Sequence, residues 1–260
     1  MVNEKTVFIT GASSGIGKAT TLAFVRAGYN VTGTARRVER LQVLKDEIAT
    51  LPEPHGQFLP AQGDVTQPDT LHSAVQQTIE TFGRLDVLVA NAGVGHRGAI
   101  VDSDWDDMQT LLRTNIDGVL HSIRACVPAM RQHSEGHILI VSSVAASISS
   151  PYAAIYAASK AFVSNIAGSL RIELQSDNIM VTDFLVGRTN TEFNDNRLGE
   201  GKRSGGGLPT MDVEQVARAI VNTVGKPKKR VILRLFDRLI VWGGTFLPGL
   251  LAHLAKRQYQ

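Results

Sequence analysis

The sequence of 260 residues has little of several features that define small extracellular or fibrous proteins. Its single cysteine, Cys126, excludes an internal disulfide framework and a cysteine-rich zinc site. The first ten residues, MVNEKTVFIT, contain no basic segment followed by a long apolar one, so we expect no secretory signal and a cytoplasmic protein. The hydrophobic share of 43% and the charged share of 20% are average, which argues against a disordered chain.

The formal net charge of +3 hides an uneven distribution of charge along the chain. Residues 226–260 hold eight lysines or arginines and one acid, a net of +7, whereas residues 1–225 hold 19 bases and 23 acids, a net of −4. The main body is therefore mildly acidic, and we expect no nucleic-acid partner. The basic tail points instead to a surface contact made by the tail.

Short runs rich in Val, Ile and Leu alternate with helical segments through most of the chain. This alternation predicts an α/β fold: a Rossmann-like, doubly wound parallel sheet of about seven strands with helices on both faces. The predicted strands are Val7–Thr10, Asn30–Ala35, Gln57–Ala61, Val87–Asn91, Ile138–Ser142, Met180–Phe184 and Val231–Leu233. The predicted helices are Ile16–Ala27, Val38–Ala49, Asp69–Phe82, Trp105–Gln132, Ile155–Gln175 and Val213–Val224.

Two segments fall outside this regular pattern. Residues 194–209 are polar and rich in glycine, which predicts a mobile loop. Within it, we expect the glycine-rich stretch 201–207 to act as a lid that becomes ordered when substrate binds. We divide the chain into a nucleotide-binding catalytic domain, 1–235, and a basic and apolar C-terminal extension, 236–260.

A glycine-rich turn joins the first predicted strand to the first helix. It reads Thr10-Gly11-Ala12-Ser13-Ser14-Gly15-Ile16-Gly17. Gly11 permits a tight turn, and the other two glycines let the backbone approach a pyrophosphate at the N-terminus of the helix. The turn predicts a dinucleotide site that includes Gly11, Ser13, Ser14, Gly15, Ile16 and Gly17.

The spacing T-G-x-x-x-G-I-G resembles that of the short-chain dehydrogenase/reductase family, and the likeness continues over roughly residues 5–225. Two positions depart from the family pattern, because Ala90 stands where an Asn is usual and Val186 where a Pro is usual. Further matches are Asp64-Val65, Asn91-Ala92-Gly93, Asn115, Ser143, Tyr156, Lys160, Gly187 and Thr191.

The resemblance implies a role for each of these positions. Asp64 and Val65 contact the adenine, Asn91-Ala92-Gly93 stabilises the sheet beside the cofactor, and Gly187 and Thr191 complete the cofactor site. The implied catalytic residues are Asn115, Ser143, Tyr156 and Lys160. We expect no metal ion in the site.

The chemistry of these catalytic residues is consistent with that resemblance. Tyr156 and Lys160 are four residues apart and share one helix face. An ammonium near a phenol favours the phenolate, so we expect Lys160 and an oxidised nicotinamide to lower the pKa of Tyr156. Tyr156 then exchanges the proton, Ser143 holds the reacting oxygen, and Asn115 anchors a water that links Lys160 to solvent. Ser142 competes for the serine role, but the thirteen-residue family spacing to Tyr156 selects Ser143.

The cofactor prediction rests on the end of the second strand, Thr34-Ala35-Arg36-Arg37. An acid at the position of Ala35 would bind the ribose hydroxyls of NAD, and it is absent. Arg36, with Arg37 beside it, suits a 2′-phosphate, so NADP (NADPH) is favoured over NAD. The alternative is that both arginines are merely solvated.

The expected substrate pocket involves 144–152, 94–97, 187–188 and 192–210, and its first segment is mostly apolar. An apolar ketone, aldehyde or secondary alcohol is therefore favoured, although Arg188 could meet one carboxylate. His96 borders this site and is the histidine most suited to touch substrate.

Asp102, Asp104, Asp106 and Asp107 surround a helix start, where capping explains them better than chelation.

The tail carries seventeen residues, Leu239–Ala255, without Asp, Glu, Lys or Arg. At ~1.5 Å per residue they barely reach across a ~30 Å hydrocarbon core, and glycines and a proline interrupt them. Flanking bases favour contact with an anionic membrane on its cytoplasmic face. The alternatives are packing on the body, an interface between subunits, or a last strand at Leu239–Trp242.

We therefore predict an NADP-dependent carbonyl reductase or alcohol dehydrogenase with a small-molecule substrate. An NAD-linked dehydrogenase acting oxidatively is the first alternative. A nucleotide-sensing or interaction protein is the second, and the set of catalytic residues disfavours it. The family resemblance implies a homodimer or homotetramer.

Overall fold

The computed structural model describes residues 5–200 and 210–256, and in these ranges it contains seven strands that pair in parallel throughout. The strands are β1 (Thr6–Thr10), β2 (Asn30–Ala35), β3 (Phe58–Gln62), β4 (Val87–Ala90), β5 (Gly136–Ser143), β6 (Ile179–Val186) and β7 (Arg230–Ile232). Their order across the sheet is β3-β2-β1-β4-β5-β6-β7. The predicted seven-stranded, Rossmann-like parallel sheet is confirmed, with strand ends within about two residues of the predicted ones.

The helices lie on both faces of this sheet. They are α1 (Gly15–Arg26), α2 (Val38–Ala49), α3 (Pro68–Phe82), α4 (Trp105–Leu112), α5 (Gly118–Arg131), α6 (Ala154–Glu173), α7 (Val213–Val221), α8 (Leu235–Phe246) and α9 (Pro248–Lys256). Consecutive residues of β1 alternate between two apolar cores. Phe8 packs in the core that α3, α5 and α6 cover, and Val7 and Ile9 pack in the core that α1, α2 and α7 cover. Burial on both faces explains why the strands read as continuous apolar runs.

The strand order reverses between β1 and β4. From β1 the chain first builds β2 and β3 on one side of the sheet, and it later returns to place β4 on the other side of β1. Loops after the carboxyl ends of β1 and β4 diverge at such a point and leave a crevice. This topology places the glycine-rich turn, Asn91 and the end of β5 along one edge of the sheet.

The single helix predicted over Trp105–Gln132 is interrupted in the structure. Helices α4 and α5 are joined by a π-helical turn, Arg113–Asp117, which contains Asn115. A π-turn inserts one residue into the helical repeat and redirects the side chains around it. The spacing of apolar residues does not reveal such an insertion, because the apolar face of the helix continues before and after the inserted residue.

The C-terminal segment forms two helices rather than a strand. Leu239–Trp242 lies inside α8, so the alternative that these residues form the last strand is wrong. In the described ranges, no individual helix combines the length and apolar character needed to cross a membrane. Helices α8 and α9 meet that criterion only when taken together, and the pair is bent by 118°.

The predicted loop 194–209 is described only up to residue 200. A short turn, Glu192–Asn194, precedes it, and Leu198 pairs with His96 across the loop. Residues 201–209 lie outside the described residues, as does the lid predicted there.

Candidate active site

A cavity of about 1040 Å³ lies at the carboxyl edge of the sheet. It extends from the glycine-rich turn after β1 to the C-terminal helices. In open α/β sheets this edge is where ligands bind, next to the point where strand order reverses. The predicted site residues on its wall are Gly11, Ser13, Ser14, Gly15, Ile16, Arg36, Arg37, Asp64, Val65, Asn91, Ala92, Gly93, Ser143, Tyr156, Lys160, Gly187 and Thr191.

The conformation of the glycine-rich turn and its packing depend on three glycines, which have two different structural roles. Gly11 and Gly15 have φ of +69° and +51°, a region that residues with a side chain rarely adopt. A side chain on Gly17 would overlap the carbonyl of Gly11, so Gly17 lies behind the wall and permits the close packing of α1 on β1. Ser14, at the N-cap of α1, makes no side-chain capping bond, which leaves the first N–H groups of the helix available to an anion.

The ends of β2 and β3 form the far side of this cavity. Ala35 ends β2, and Arg36 and Arg37 follow it on the wall. None of the ion pairs within the described residues involves Arg36. Asp64 accepts hydrogen bonds from the backbone N–H and the hydroxyl of Thr66, both at 2.9 Å, through the same carboxylate oxygen. Its other oxygen is therefore available to a ligand.

Asn91 ties the end of β4 to the end of β1. Its side-chain amide donates to the carbonyls of Thr10 and Gly11 at 3.0 and 3.3 Å. The Thr10 hydroxyl in turn accepts from the backbone N–H groups of Asn91 and Ala92, both at 3.1 Å. These bonds hold the crevice at a fixed width and agree with the sheet-stabilising role that was predicted.

Asn115 is fully buried in the π-helical turn and lies behind the cavity wall. Its Oδ1 accepts from the backbone N–H of Val94 at 2.8 Å, and its Nδ2 donates to the carbonyl of Val94 and to Oγ of Ser159. A side chain on Gly93 would lie 3.1 Å from Asn115 Oδ1 and 3.5 Å from Lys160 Nζ, so these two groups meet across Gly93. Asn115 thus positions the loop after β4 beside Lys160.

Ser143 and Ser142 end β5 in different environments. Ser142 is buried and bonds to the carbonyl of Lys160 and to Ser164, which confirms its predicted supporting role. Ser143 faces the cavity, where its Oγ accepts from the backbone N–H of Ala145 and keeps its own hydroxyl hydrogen. Of the two serines, Ser143 is therefore the one placed to meet a substrate oxygen.

Tyr156 and Lys160 lie one turn apart on α6, and both line the cavity. Burial raises the pKa of Tyr156, and a hydrogen bond with Ser143 opposes that rise. This direction is opposite to the predicted one, because loss of hydration outweighs the favourable contacts in the protein without cofactor. Tyr156 is therefore protonated near neutral pH.

Lys160 donates to the carbonyl of Val141 at 2.9 Å and is 5% exposed. Burial lowers the pKa of Lys160 to about 8, while the nearby charge of Asp183 acts in the opposite direction. The side chain is thus held in one place by the sheet, and its charge is sensitive to mildly alkaline pH.

The remaining residues that were predicted to hold the cofactor lie on the turn after β6. Gly187 and Thr191 both line the cavity. Thr191 packs against the glycine-rich turn, since a side chain on Gly15 would lie 3.3 Å from its Cβ. Its Oγ1 also accepts from the N–H of Phe193. The turn after β6 and the glycine-rich turn therefore meet at Thr191.

The residues on this wall fit a dinucleotide. The positive-φ glycines and the uncapped start of α1 form a cradle that side chains would fill, and they suit a pyrophosphate. The crevice between β1 and β4 continues from that cradle toward Tyr156.

A model of the family described as short chain dehydrogenase matches residues 5–200. This match covers the glycine-rich turn, Asn91, Ser143, Tyr156 and Lys160. The chain belongs to the short-chain dehydrogenase family.

Curated relatives in this family match nearly the whole chain. Dehydrogenase/reductase SDR family member 7B of Bos taurus is 33% identical over 266 residues, which cover 97% of this chain and 81% of the relative. The 11-beta-hydroxysteroid dehydrogenase-like 4A of Arabidopsis thaliana is 35% identical over 259 residues, which cover 98% of this chain and 85% of the relative. The protein is therefore a member of an oxidoreductase family.

The fold is also that of solved family structures. A short chain dehydrogenase/reductase from Burkholderia phymatum in complex with NAD superposes with a TM-score of 0.83, and the alignment covers 96% of this chain and 94% of the other. The sequences are 21% identical, so this likeness concerns the fold.

Several wall residues of this short-chain dehydrogenase were not identified from the sequence. Helices α8 and α9 contribute Phe236, Ile240, Leu251 and Leu254 to the cavity. By contrast, Phe193 belongs to the expected pocket segment 192–210, and it packs against Tyr156 with ring centroids 5.8 Å apart. In the sequence, the spacing of apolar residues in the tail predicts an amphipathic helix. It does not predict which surface of the protein that helix covers.

The other sequence candidates have clear structural positions. His96 is 4% exposed and lines the cavity. Asp104 caps α4, since its side chain accepts from the N–H groups of Asp106 and Asp107, which confirms the capping interpretation. Cys126 is fully buried in α5, as predicted.

Proposed function

We propose that this short-chain dehydrogenase reduces an apolar ketone or aldehyde with NADPH, or oxidises the corresponding secondary alcohol with NADP. One observation carries the proposal: Tyr156, Ser143 and Lys160 line the same cavity, and the wall of that cavity also has an apolar side. The apolar side consists of Val144, Ala145, Ile148, Ile240 and Leu251.

The proton transfer follows from the position and protonation state of Tyr156. Its phenol donates a proton to the carbonyl oxygen during reduction and recovers it during oxidation. Ser143 donates its hydroxyl hydrogen to the same oxygen and stabilises the negative charge that develops there. Lys160 is held beside both groups by the carbonyl of Val141 and supplies a positive charge.

The glycine-rich turn, Lys160 and Thr191 are the residues that would hold the cofactor, which supplies the hydride when bound. Asn115 orients the loop beside Lys160 through its bonds to Val94. At the other end, Ala35 lacks the carboxylate that would bind ribose hydroxyls, and Arg36 offers a bidentate donor for a 2′-phosphate. These two features support NADP over NAD.

The proposal is tested by NADPH consumption against ketones and aldehydes of graded chain length and ring number. Tyr156→Phe should abolish turnover and leave the dissociation constant for NADPH largely unchanged. Tyr29→Phe is the matched control, because Tyr29 packs edge-on against Phe24 away from the cavity. Turnover that survives in Tyr156→Phe would exclude the proposed acid.

We also propose that the outer face of α8 and α9, here called the tail face, contacts an anionic membrane surface. Leu235, Leu239, Trp242 and Phe246 recur at intervals of four, three and four residues and are 56–71% exposed. The opposite side of α8 packs on the body, where Asp237 and Gly243 are buried. The exposed bases in the C-terminal part of the chain include Lys226, Lys228, Lys229, Arg238 and Lys256. Apolar contact together with basic charge favours an anionic lipid surface.

Flotation with vesicles tests this contact. The full chain should float with vesicles that contain phosphatidylserine and should float less with phosphatidylcholine alone. Leu239→Ser with Trp242→Ser should stay at the bottom of the gradient. Val43→Ser is the control, because Val43 is 63% exposed on α2. A full chain that never floats, or a variant that loses a dimer rather than vesicle binding, would contradict membrane contact.

A further inference from the structure

Arg188 lines the catalytic cavity directly after Gly187, at the carboxyl end of β6. Its backbone is anchored, because its carbonyl accepts from the N–H of Met211 at 2.7 Å. Arg188 is half-buried, and its side-chain Nε is buried with no hydrogen-bond partner among residues 5–200 and 210–256. A guanidinium stays charged at physiological pH, and burying part of it without a partner is unfavourable. A ligand in the cavity is therefore the natural source of the missing acceptor.

The carboxylates near Arg188 are already engaged. Asp237, which touches Gly187, pairs with Arg234 through both oxygens at 2.7 and 2.8 Å. Glu192 pairs with Arg40 at 2.8 Å. Residues 201–209, whose sequence is GKRSGGGLP, contain no acid that could supply a partner. None of the ion pairs between described residues involves Arg188.

The strand register places this arginine near the reacting groups. Val186 is paired with Ser143 in the sheet, and Arg188 follows two residues later. Adjacent strands are about 4.8 Å apart and successive Cα atoms about 3.8 Å, so the Cα of Arg188 lies within about 12 Å of that of Ser143. Arg188 and Ser143 therefore belong to the same part of the cavity wall, so one ligand can reach both.

Other groups on the wall agree with an anionic ligand that has an apolar body. Arg97 and Arg197 also line the cavity and add positive charge. His96 is 4% exposed, and in the part of the chain that the structure describes neither of its ring nitrogens has a partner, so it offers another polar contact. Ile240, Leu251 and Leu254 of the C-terminal helices provide the apolar surface.

We propose that Arg188 binds a carboxylate of the substrate, and that the substrate is an apolar carbonyl compound with a single carboxylate a few bonds from the carbonyl. One guanidinium matches one carboxylate through two parallel N–H bonds. This inference rests on the proposed function and specifies the substrate class of the same site. Arg188 is thus a specificity-determining residue.

Paired substrates test this assignment in the holoenzyme. NADPH-dependent kcat/KM is measured for 4-oxo-4-phenylbutanoate and 5-oxo-5-phenylpentanoate and for their methyl esters. The acid of the matching chain length should be preferred over its ester by about 10- to 100-fold, as expected for a hydrogen bond to a charged group. Arg188→Met should remove the preference by lowering the value for the acid alone, and Arg188→Lys should retain part of it.

Controls separate substrate binding from cofactor binding. Arg124→Met, an exposed site on α5, should leave both values unchanged. The dissociation constant for NADPH should be the same in Arg188→Met and in the unaltered protein. Equal kcat/KM for acid and ester in the unaltered protein, or a parallel loss for both with weaker NADPH binding, would overturn the assignment.

A ligand without a carbonyl makes the test independent of turnover. Binding of 4-phenylbutanoate and of its methyl ester to the NADPH complex is measured by cofactor fluorescence. The acid should bind about 10- to 100-fold more tightly than the ester, and Arg188→Met should abolish the difference. If no carbonyl compound is turned over but this difference is present, the proposed function fails and the role of Arg188 stands. If acid and ester bind alike, the role of Arg188 fails.

Discussion

The carboxylate of Asp237 in α8 occupies the space that a side chain on Gly187 would fill. Asp237 is 1% exposed and is held there by the two hydrogen bonds from Arg234. The C-terminal helices are therefore held against the turn after β6. A segment that the sequence presents as an extension thus forms part of the wall of the cavity that holds the candidate active site.

The contact between Asp237 and Gly187 predicts a specific loss of stability. Gly187→Ala places a methyl group against the buried carboxylate, and overpacking of this kind should lower the free energy of unfolding by about 1–3 kcal/mol. Urea unfolding measures the change. Gly168→Ala is the matched control, because nothing lies within 4 Å of a side chain there, and it should stabilise α6 by about 0.5–1 kcal/mol. Equal effects of the two substitutions would contradict the described contact.

Cofactor preference should change with the charge at the end of β2. Arg36→Asp removes the donor for a 2′-phosphate and supplies an acceptor for ribose hydroxyls. The ratio of kcat/KM for NADPH to that for NADH should fall by about 100-fold, since a charge-assisted bond worth ~1.5–3 kcal/mol is lost and repulsion is added. Lys45→Asp makes the same charge change on the exposed side of α2 and should leave the ratio unchanged. An initial preference for NADH would contradict the cofactor proposal.

The depressed pKa of Lys160 predicts how activity varies with pH. With a value of about 8, Lys160 is charged below that pH and loses its proton as the pH rises through it. The reductive kcat/KM should be level below about pH 7.5 and then decline roughly tenfold per unit, as for a single deprotonation. Circular dichroism over the same range checks that the fold is intact. A level profile up to pH 9.5 would show that this charge is not needed.

His137 predicts a loss of stability in mild acid. It lies on β5 with its Nδ1 accepting from the N–H of Gly225 and its Nε2 bonded to Thr182, and burial lowers its pKa from 6.5 to about 4. Above pH 6.5 the ring is neutral in both states and makes no pH-dependent contribution. As the pH falls toward 4, the unfolded chain binds a proton that the folded protein does not, so stability should fall by about 3 kcal/mol.

Urea unfolding at pH 7 and pH 4.5 measures this dependence. His137→Gln removes the titrating ring and should flatten the difference between the two pH values, even if stability is lower at both. His133→Gln is the control at an exposed histidine and should leave the difference intact. A similar flattening in both variants would assign the acid sensitivity to other groups.

The sequence alone was sufficient for the sheet, the glycine-rich turn and most of the cavity wall. Buried parallel strands are apolar along their whole length, and the positions of Gly11, Gly15 and Gly17 follow a local rule for a turn that approaches an anion. The pairing of Tyr156 with Lys160 needed only helical spacing. Each of these inferences depends on residues that are neighbours in the chain, where short-range geometry decides the outcome.

Only the tertiary structure decided which of these groups have partners. The direction of the Tyr156 pKa depended on burial, and the π-turn at Asn115 on packing behind Gly93. That Nε of Arg188 lacks a partner among the described residues, while Arg234 is paired with Asp237, depended on how α8 packs against the turn after β6. These contacts join residues far apart in the chain, so their strength is set by desolvation and packing that no local pattern encodes.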